Sequence, residues 1–159
     1  MKKKLKSLVE KTPFIMRFIL NRYRPYRGAG IKTRFISANY DHIKVSMALK
    51  WHNKNYFGTH FGGSLFSMTD AFYPLMLSNL LGKQYIIWDK EASIKYIKPG
   101  RGTVHCQFSL TDRDIMNIKE EIDKNEKMLF YREIEIHDDK DNLIAIVKRT
   151  IYIKRKNKR

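Results

Sequence analysis

Between Asn55 and Leu81 the chain reads NYFGTHFGGSLFSMTDAFYPLMLSNLL, a glycine-led helix start followed by a long apolar run. Leu65, Phe66, Met68, Phe72, Leu75, Met76 and Leu80 spread around most of the circumference of a helix from Phe61 to Leu81, so the rest of the chain must enclose it. Asp70 is its one acid. Pro74 lacks the backbone N–H that would bond the Asp70 carbonyl, which predicts a kink beside that acid, and Gly82 is placed to cap the C-terminal end.

The helix start carries a chemical signal as well. Glycines allow close approach to the backbone, and the unpaired N–H groups form a partial positive charge suited to an anion or a polarised carbonyl. A carboxylate two turns further on can face the same ligand. The pattern points to attack on a carbonyl held at Gly62 and Gly63, with Asp70 as base or nucleophile. Plainer readings stand beside it: Asp70 paired with a cation, Asn55 as a turn former in HNKNYFG, His60 as either a hydrogen-bonded loop residue or a substrate contact, and Ser64 as support for the helix start.

Around this segment the chain alternates. IKTRFIS and IKVSMAL read as two strands, with Asp41 and His42 as their turn and Ile43, Val45, Met47 and Leu49 on the buried face. Four further strands are expected at Tyr85 to Ile97, Thr103 to Leu110, Met128 to His137 and Leu143 to Lys154. Pro99, Gly100 and Gly102 separate the first two and HDDKDN the last two. Between them, Thr111 or Asp112 as N-cap and Ile115, Ile118 and Ile122 at helical spacing predict a short helix. An antiparallel sheet wrapped around one central helix would bury that helix, an α+β architecture.

At 159 residues and 43% hydrophobic content, the chain suits one core. Residues 1–30 read as a basic segment with an amphipathic helix, 31–155 as a single domain and 156–159 as a basic tail. In PFIMRFILNRY the apolar run is too short to span a bilayer. Phe14, Ile15, Phe18 and Ile19 form one helical stripe, with packing on the domain expected ahead of contact with a membrane surface. RPYRGAG then breaks the helical pattern. The net charge of +16 could attract nucleic acid, anionic lipid or a phosphorylated small molecule such as coenzyme A, and no zinc-finger or RRM signature supports a nucleic-acid reader. Cys106, the only cysteine, fits a buried strand position, rules out an intrachain disulfide and suits a reducing cytoplasm. His42, His52, His105 and His137 match no metal-ligand spacing, and phosphate-loop, Rossmann and serine-elbow signatures are lacking.

The element order from about residue 30 to 153, together with Asn55, the Gly62–Gly63 pair and Asp70 at their spacing, resembles the hotdog-fold thioesterase superfamily. The likeness is to its phenylacetate-pathway-type (PaaI-like) acyl-CoA thioesterases, and WDKEASIKYIKPGRGTV resembles the strand–turn–strand that follows the helix in an uncharacterised branch of that group. The resemblance implies a curved antiparallel sheet around a central helix, subunits that pair their sheets into a homodimer or a dimer of dimers, and a coenzyme A thioester as substrate with no cofactor. Gly62 would donate its N–H to the thioester oxygen, Asn55 would orient the thioester or water, and Asp70 would be base or nucleophile. Asp89 or Ser93 would position water, and substrate would lie across the subunit interface. His60, Phe61, Gly63 and Trp88 would line the substrate, with Lys98 and Arg101 toward coenzyme A; Phe66, Phe72, Tyr73 and Trp88 would accept the acyl chain, and the same four residues would equally fill a core without a ligand. The group commonly has histidine directly before the glycine pair, where this chain has Phe61, with His60 one position earlier. Two alternatives follow from the same fold: a non-catalytic acyl-CoA or lipid-binding protein, and a hydroxyacyl thioester dehydratase pairing His60 with an acid.

Overall fold

The computed structural model describes residues 12–156. The lysine run at residues 2–6 and the last three residues of the basic tail lie outside them. The elements, in chain order, are α1 (Pro13–Arg22), α2 (Arg24–Ala29), β1 (Ile31–Ile36), β2 (His42–Ala48), α3 (Gly62–Ser67), α4 (Phe72–Leu81), β3 (Tyr85–Tyr96), β4 (Thr103–Ser109), α5 (Asp112–Asn125), β5 (Lys127–Asp138) and β6 (Leu143–Arg155).

The six strands make one antiparallel sheet in the order β1-β2-β4-β5-β6-β3, curved around α4 as the hotdog resemblance implies. Its inner face follows the alternation of the sequence: Ile43, Val45 and Met47 on β2, Val104, Cys106 and Phe108 on β4, and Val147, Ile151 and Ile153 on β6 are all buried. Against them lie Phe72, Tyr73, Met76, Leu77 and Leu81 of α4, with the Phe72 ring 4.9 Å from that of Phe108. Burial of a side chain the size of Phe72 contributes roughly 2 to 3 kcal/mol, so this helix is the main anchor of the core. His42 opens β2 rather than sitting in the turn, which is built instead by Ser37 Oγ donating to Asp41 and accepting from the His42 N–H.

The central helix departs from expectation. It is not one kinked helix but two, interrupted from Met68 to Ala71, where Ala71 takes a left-handed φ of 65°. Pro74 explains the break: as the third residue of α4 it sits in the turn whose N–H groups have no helical acceptor, so it suits a helix start and not a helix interior. The Asp70 carbonyl, deprived of a helical donor, accepts a hydrogen bond from Tyr26 Oη at 2.7 Å. Gly82 does cap α4, at φ 91°.

RPYRGAG, read as a pattern break, contains α2. Pro25 falls in its first turn and Gly30 closes it at φ 79°, the arrangement that lets a proline and a glycine bound a helix instead of preventing one. The packing face of α1 is also corrected. Met16 and Leu20 pack on the core, while Phe14, Phe18 and Ile19 face outward.

Of the two N-caps expected for α5, Thr111 is the one the structure uses. Its Oγ1 accepts from the Asp114 N–H and the Asp114 carboxylate accepts from the Thr111 N–H, a reciprocal capping box. Ile118 and Ile122 are buried beneath it, and Arg132 of β5 forms a salt bridge with Asp114. Thr111→Ala is expected to lower the unfolding free energy by about 1 kcal/mol, measured by urea denaturation.

Strand β3 is long and lies at one end of the sheet, hydrogen-bonded only to β6 among the described strands. A bulge at Lys90 shifts its register between Asp89 and Glu91.

Candidate active site

Two clusters surround the α3–α4 segment, one at its start and one at the break. At the start, Phe61 has extended backbone (φ −63°, ψ 127°) and Gly62 and Gly63 are the first helical residues, so their N–H groups point out of the helix end. A cleft of about 420 Å³ opens there, lined by Asn55, His60, Gly62, Tyr96, Lys98 and Gly100 among others. The Tyr96 hydroxyl lies directly over Gly62: a Cβ at that position would stand 2.7 Å from Tyr96 Oη. A Cβ on Gly63 would meet the Phe61 ring at 2.5 Å. In both cases the near atoms are the far ends of exposed side chains, so a larger residue would have to displace Tyr96 or Phe61.

Asn55 lines this cleft as a scaffold. Its Oδ1 accepts from the N–H groups of Phe57 and Thr59, and its Nδ2 donates to Thr59 Oγ1 and the His60 carbonyl. These bonds occupy both amide hydrogens and both acceptor positions, so the side chain holds the loop and has no hydrogen left for a substrate. His60 is buried, with Nε2 at 3.1 Å from the Gly102 carbonyl and Nδ1 without a hydrogen-bond partner among the described residues. That bond makes Nε2 the protonated nitrogen, and burial pushes its pKa below the usual 6.5. The ring is neutral and tied to the β3–β4 turn.

At the break, Asp70 extends outward with its side chain 59% exposed and its Oδ1 3.4 Å from Arg149 Nη1. Arg149 was not anticipated, and it organises the whole cluster. It is buried; Nη1 also donates to Asp89 Oδ2 at 3.0 Å, Nε and Nη2 donate to Thr69 Oγ1, Nη2 donates to the Phe66 carbonyl, and the guanidinium lies over the Phe66 ring. The sequence does hold a signal for it. Ala145, Val147, Arg149, Ile151 and Ile153 share the inward face of β6, and a charge in such a row has to meet an opposite charge inside.

Asp89 completes the triad from β3. Burial raises its carboxyl above the usual range, Asp70 nearby adds to that rise, and Arg149 opposes it. Arg149→Met is expected to remove about 3 kcal/mol of stability in urea denaturation, because Asp89 would remain enclosed without its counter-charge. Recovery of part of that loss in the double variant Asp89→Asn/Arg149→Met would identify the stranded carboxyl as the cause.

The remaining sequence candidates divide between the clusters or fall outside both. Lys98 lines the Gly62 cleft, whereas Arg101 is exposed in the following turn. Ser93 pairs with Lys148 on the outer face of the sheet, because the bulge at Lys90 puts Glu91 and Ser93 on the side opposite Asp89. Trp88 is half exposed beside Tyr152 on β3. Phe72 and Tyr73 belong to the core with Phe108, and Phe66 supports Arg149, so these three do not form one acyl-lining surface. Cys106 is buried and its thiol is pushed up by that burial, as a structural cysteine should be. No group of three or more metal-ligating side chains occurs among the described residues.

The two clusters sit at different points of one segment: Gly62 opens α3, and Asp70, eight residues on, lies in the break that follows it. Each has a neighbour on β3, Tyr96 over Gly62 and Asp89 bridged to Asp70 through Arg149.

Solved structures share this architecture. A Pseudomonas aeruginosa protein of unknown function, described as a probable thioesterase, aligns with a TM-score of 0.79 at 14% identity, covering 92% of this chain and 99% of that one. A protein of unknown function from Chlorobaculum tepidum TLS gives 0.72 at 16% identity over 93% and 99%. A thioesterase from Haemophilus influenzae gives 0.66 at 14% identity over 91% of each chain. These likenesses establish the fold. No curated protein matches the sequence. Residues 14–153, nearly the whole chain, match the family described as Domain of unknown function (DUF4442), and this hotdog-fold protein is a member of that family.

Proposed function

We propose that the protein hydrolyses acyl-CoA thioesters in a site shared between two copies of the chain. The observation that carries this reading is Asp70: an acid at the break of an otherwise enclosed helix, accessible to solvent yet held by a buried arginine. A carboxylate with only a structural role would be expected to lie within the pair it stabilises.

In this reading the thioester oxygen accepts from the Gly62 N–H at the start of α3, and the helix end supports the charge that develops there. Asp70 takes a proton from water as the water oxygen bonds to the carbonyl carbon. The carbon–sulfur bond then breaks, the thiolate leaves with the electron pair, and the proton on Asp70 passes to sulfur. Asp89, whose Oδ1 is buried, acts by holding Arg149 and through it Asp70. Lys98 in the Gly62 cleft suits a phosphate of coenzyme A. Asn55 acts by holding the loop.

In this reading a second copy completes the site. In an antiparallel pairing of two β3 edges the strands run in opposite directions, so the half of β3 that carries Asp89 in one copy would lie beside the half that carries Tyr96 in the other. Asp70 of one chain would then approach the Gly62 cleft of its partner. The free β3 edge and its exposed Ile86 and Trp88 favour such pairing. The dehydratase alternative loses support, since the polar contact of the His60 ring is to the Gly102 carbonyl and not to an acid.

Release of free thiol from a panel of acyl-CoAs of graded chain length tests the reading. Turnover of at least one member is expected; binding of acyl-CoA without thiol release would favour the binding-protein alternative.

A further inference from the structure

Helix α1 is apolar on two opposite sides, and only one side is covered. Met16 and Leu20 face the core, and the Asn21 side chain fixes the helix to β1 by exchanging hydrogen bonds with the Thr33 backbone. On the outer side Phe14 is 69% exposed and Phe18, one turn on, 51%. Ile19, Tyr23 and Phe35 of β1 are exposed around them, and Phe14 and Phe35 border a groove of about 430 Å³ with Arg17 at its wall.

The described chain from Thr12 to Tyr40 carries Arg17, Arg22, Arg24, Arg27, Lys32 and Arg34 and no acid, with Asp41 following in the β1–β2 turn. Arg17 and Arg22 lie over the rings of Phe14 and Phe18, so cations border the aromatic row itself.

We propose that this face docks on an anionic lipid bilayer, with α1 lying in the plane of the membrane interface. An outward row of Phe14 and Phe18 can enter the boundary between headgroups and acyl chains while the arginines meet lipid phosphates, which is how a basic helix with an apolar face lies on a membrane. The polarity fits this occupant better than others. A second copy of the same face would oppose cations to cations, and a nucleic acid would use the arginines but gain little from a helical row ending in Ile19. The proposal is independent of the thioesterase reading.

Flotation of the full chain with phosphatidylcholine vesicles, with and without phosphatidylglycerol, tests it. Salt-sensitive binding is expected only when phosphatidylglycerol is present. Phe14→Ser/Phe18→Ser and Arg22→Glu/Arg24→Glu should each lower the partition coefficient by more than about tenfold while the melting temperature stays unchanged. Three results would overturn it: no binding of the wild type to anionic vesicles, undiminished binding of the Phe14→Ser/Phe18→Ser variant, which would assign attraction to the lysine-rich ends alone, or vesicle-independent binding of an oligonucleotide that Arg22→Glu/Arg24→Glu abolishes.

Discussion

Asp70→Asn will lower kcat for thioester hydrolysis by about 100- to 10,000-fold, the range for loss of a positioned general base. The substitution is nearly isosteric, and the amide oxygen can still accept from Arg149, so the helix break and the triad should remain in place. KM should change little, because the carboxylate acts on water and not on substrate binding. Stopped thiol release with an unchanged melting curve is the expected pair of observations. Retention of more than a tenth of the wild-type kcat would reduce Asp70 to an exposed partner of Arg149, an interaction that contributes little at such a surface position.

Gly62→Pro will lower kcat by about 100- to 1,000-fold through loss of a single N–H donor. Proline is the informative choice at this position. It is favoured at the first residue of a helix, and Phe61 before it already has the extended backbone that a following proline demands. The helix start should therefore persist while the donor is removed. The added ring displaces the Tyr96 hydroxyl, the far end of an exposed side chain that has room to swing away. Tyr96→Phe serves as the control: it should leave kcat close to wild type, which separates loss of the N–H from movement of the tyrosine. Substantial activity in Gly62→Pro would place the oxyanion elsewhere.

Much of the fold was legible because its signals were local and redundant. Ile43, Val45 and Met47 alternate as only a half-buried strand does, and Thr111 with Asp114 marks a helix start on its own. Periodicity failed where two stripes of one helix were both apolar. In α1, Phe14/Phe18 and Met16/Leu20 are equally good faces, and only the position of β1 decides between them. Pro74 located the disturbance in the central helix, but the partner of the freed carbonyl, Tyr26, lies 44 residues before Asp70 and could not be read from that segment.

The candidate site divides in the same way. Gly62, Gly63 and Asp70 could be found from spacing along one segment. Asn55 could be found but not its role, since its saturated hydrogen bonds appear only when the loop closes on Thr59 and His60. Arg149 is 79 residues from Asp70 and 60 from Asp89, and nothing local joins them. Ser93 and Asp89 looked equivalent until the bulge at Lys90 placed them on opposite faces of the sheet.

The most direct measurement combines the two variants: thiol release by Asp70→Asn chains, Gly62→Pro chains, and a one-to-one mixture refolded together. Each variant alone should be silent. A site built from Asp70 of one chain and Gly62 of its partner is restored once in every mixed dimer, so the mixture should recover about a quarter of wild-type activity if dimers form at random. A silent mixture beside an active wild type would contradict the shared site, and a wild type that releases no thiol from any acyl-CoA would contradict the thioesterase itself.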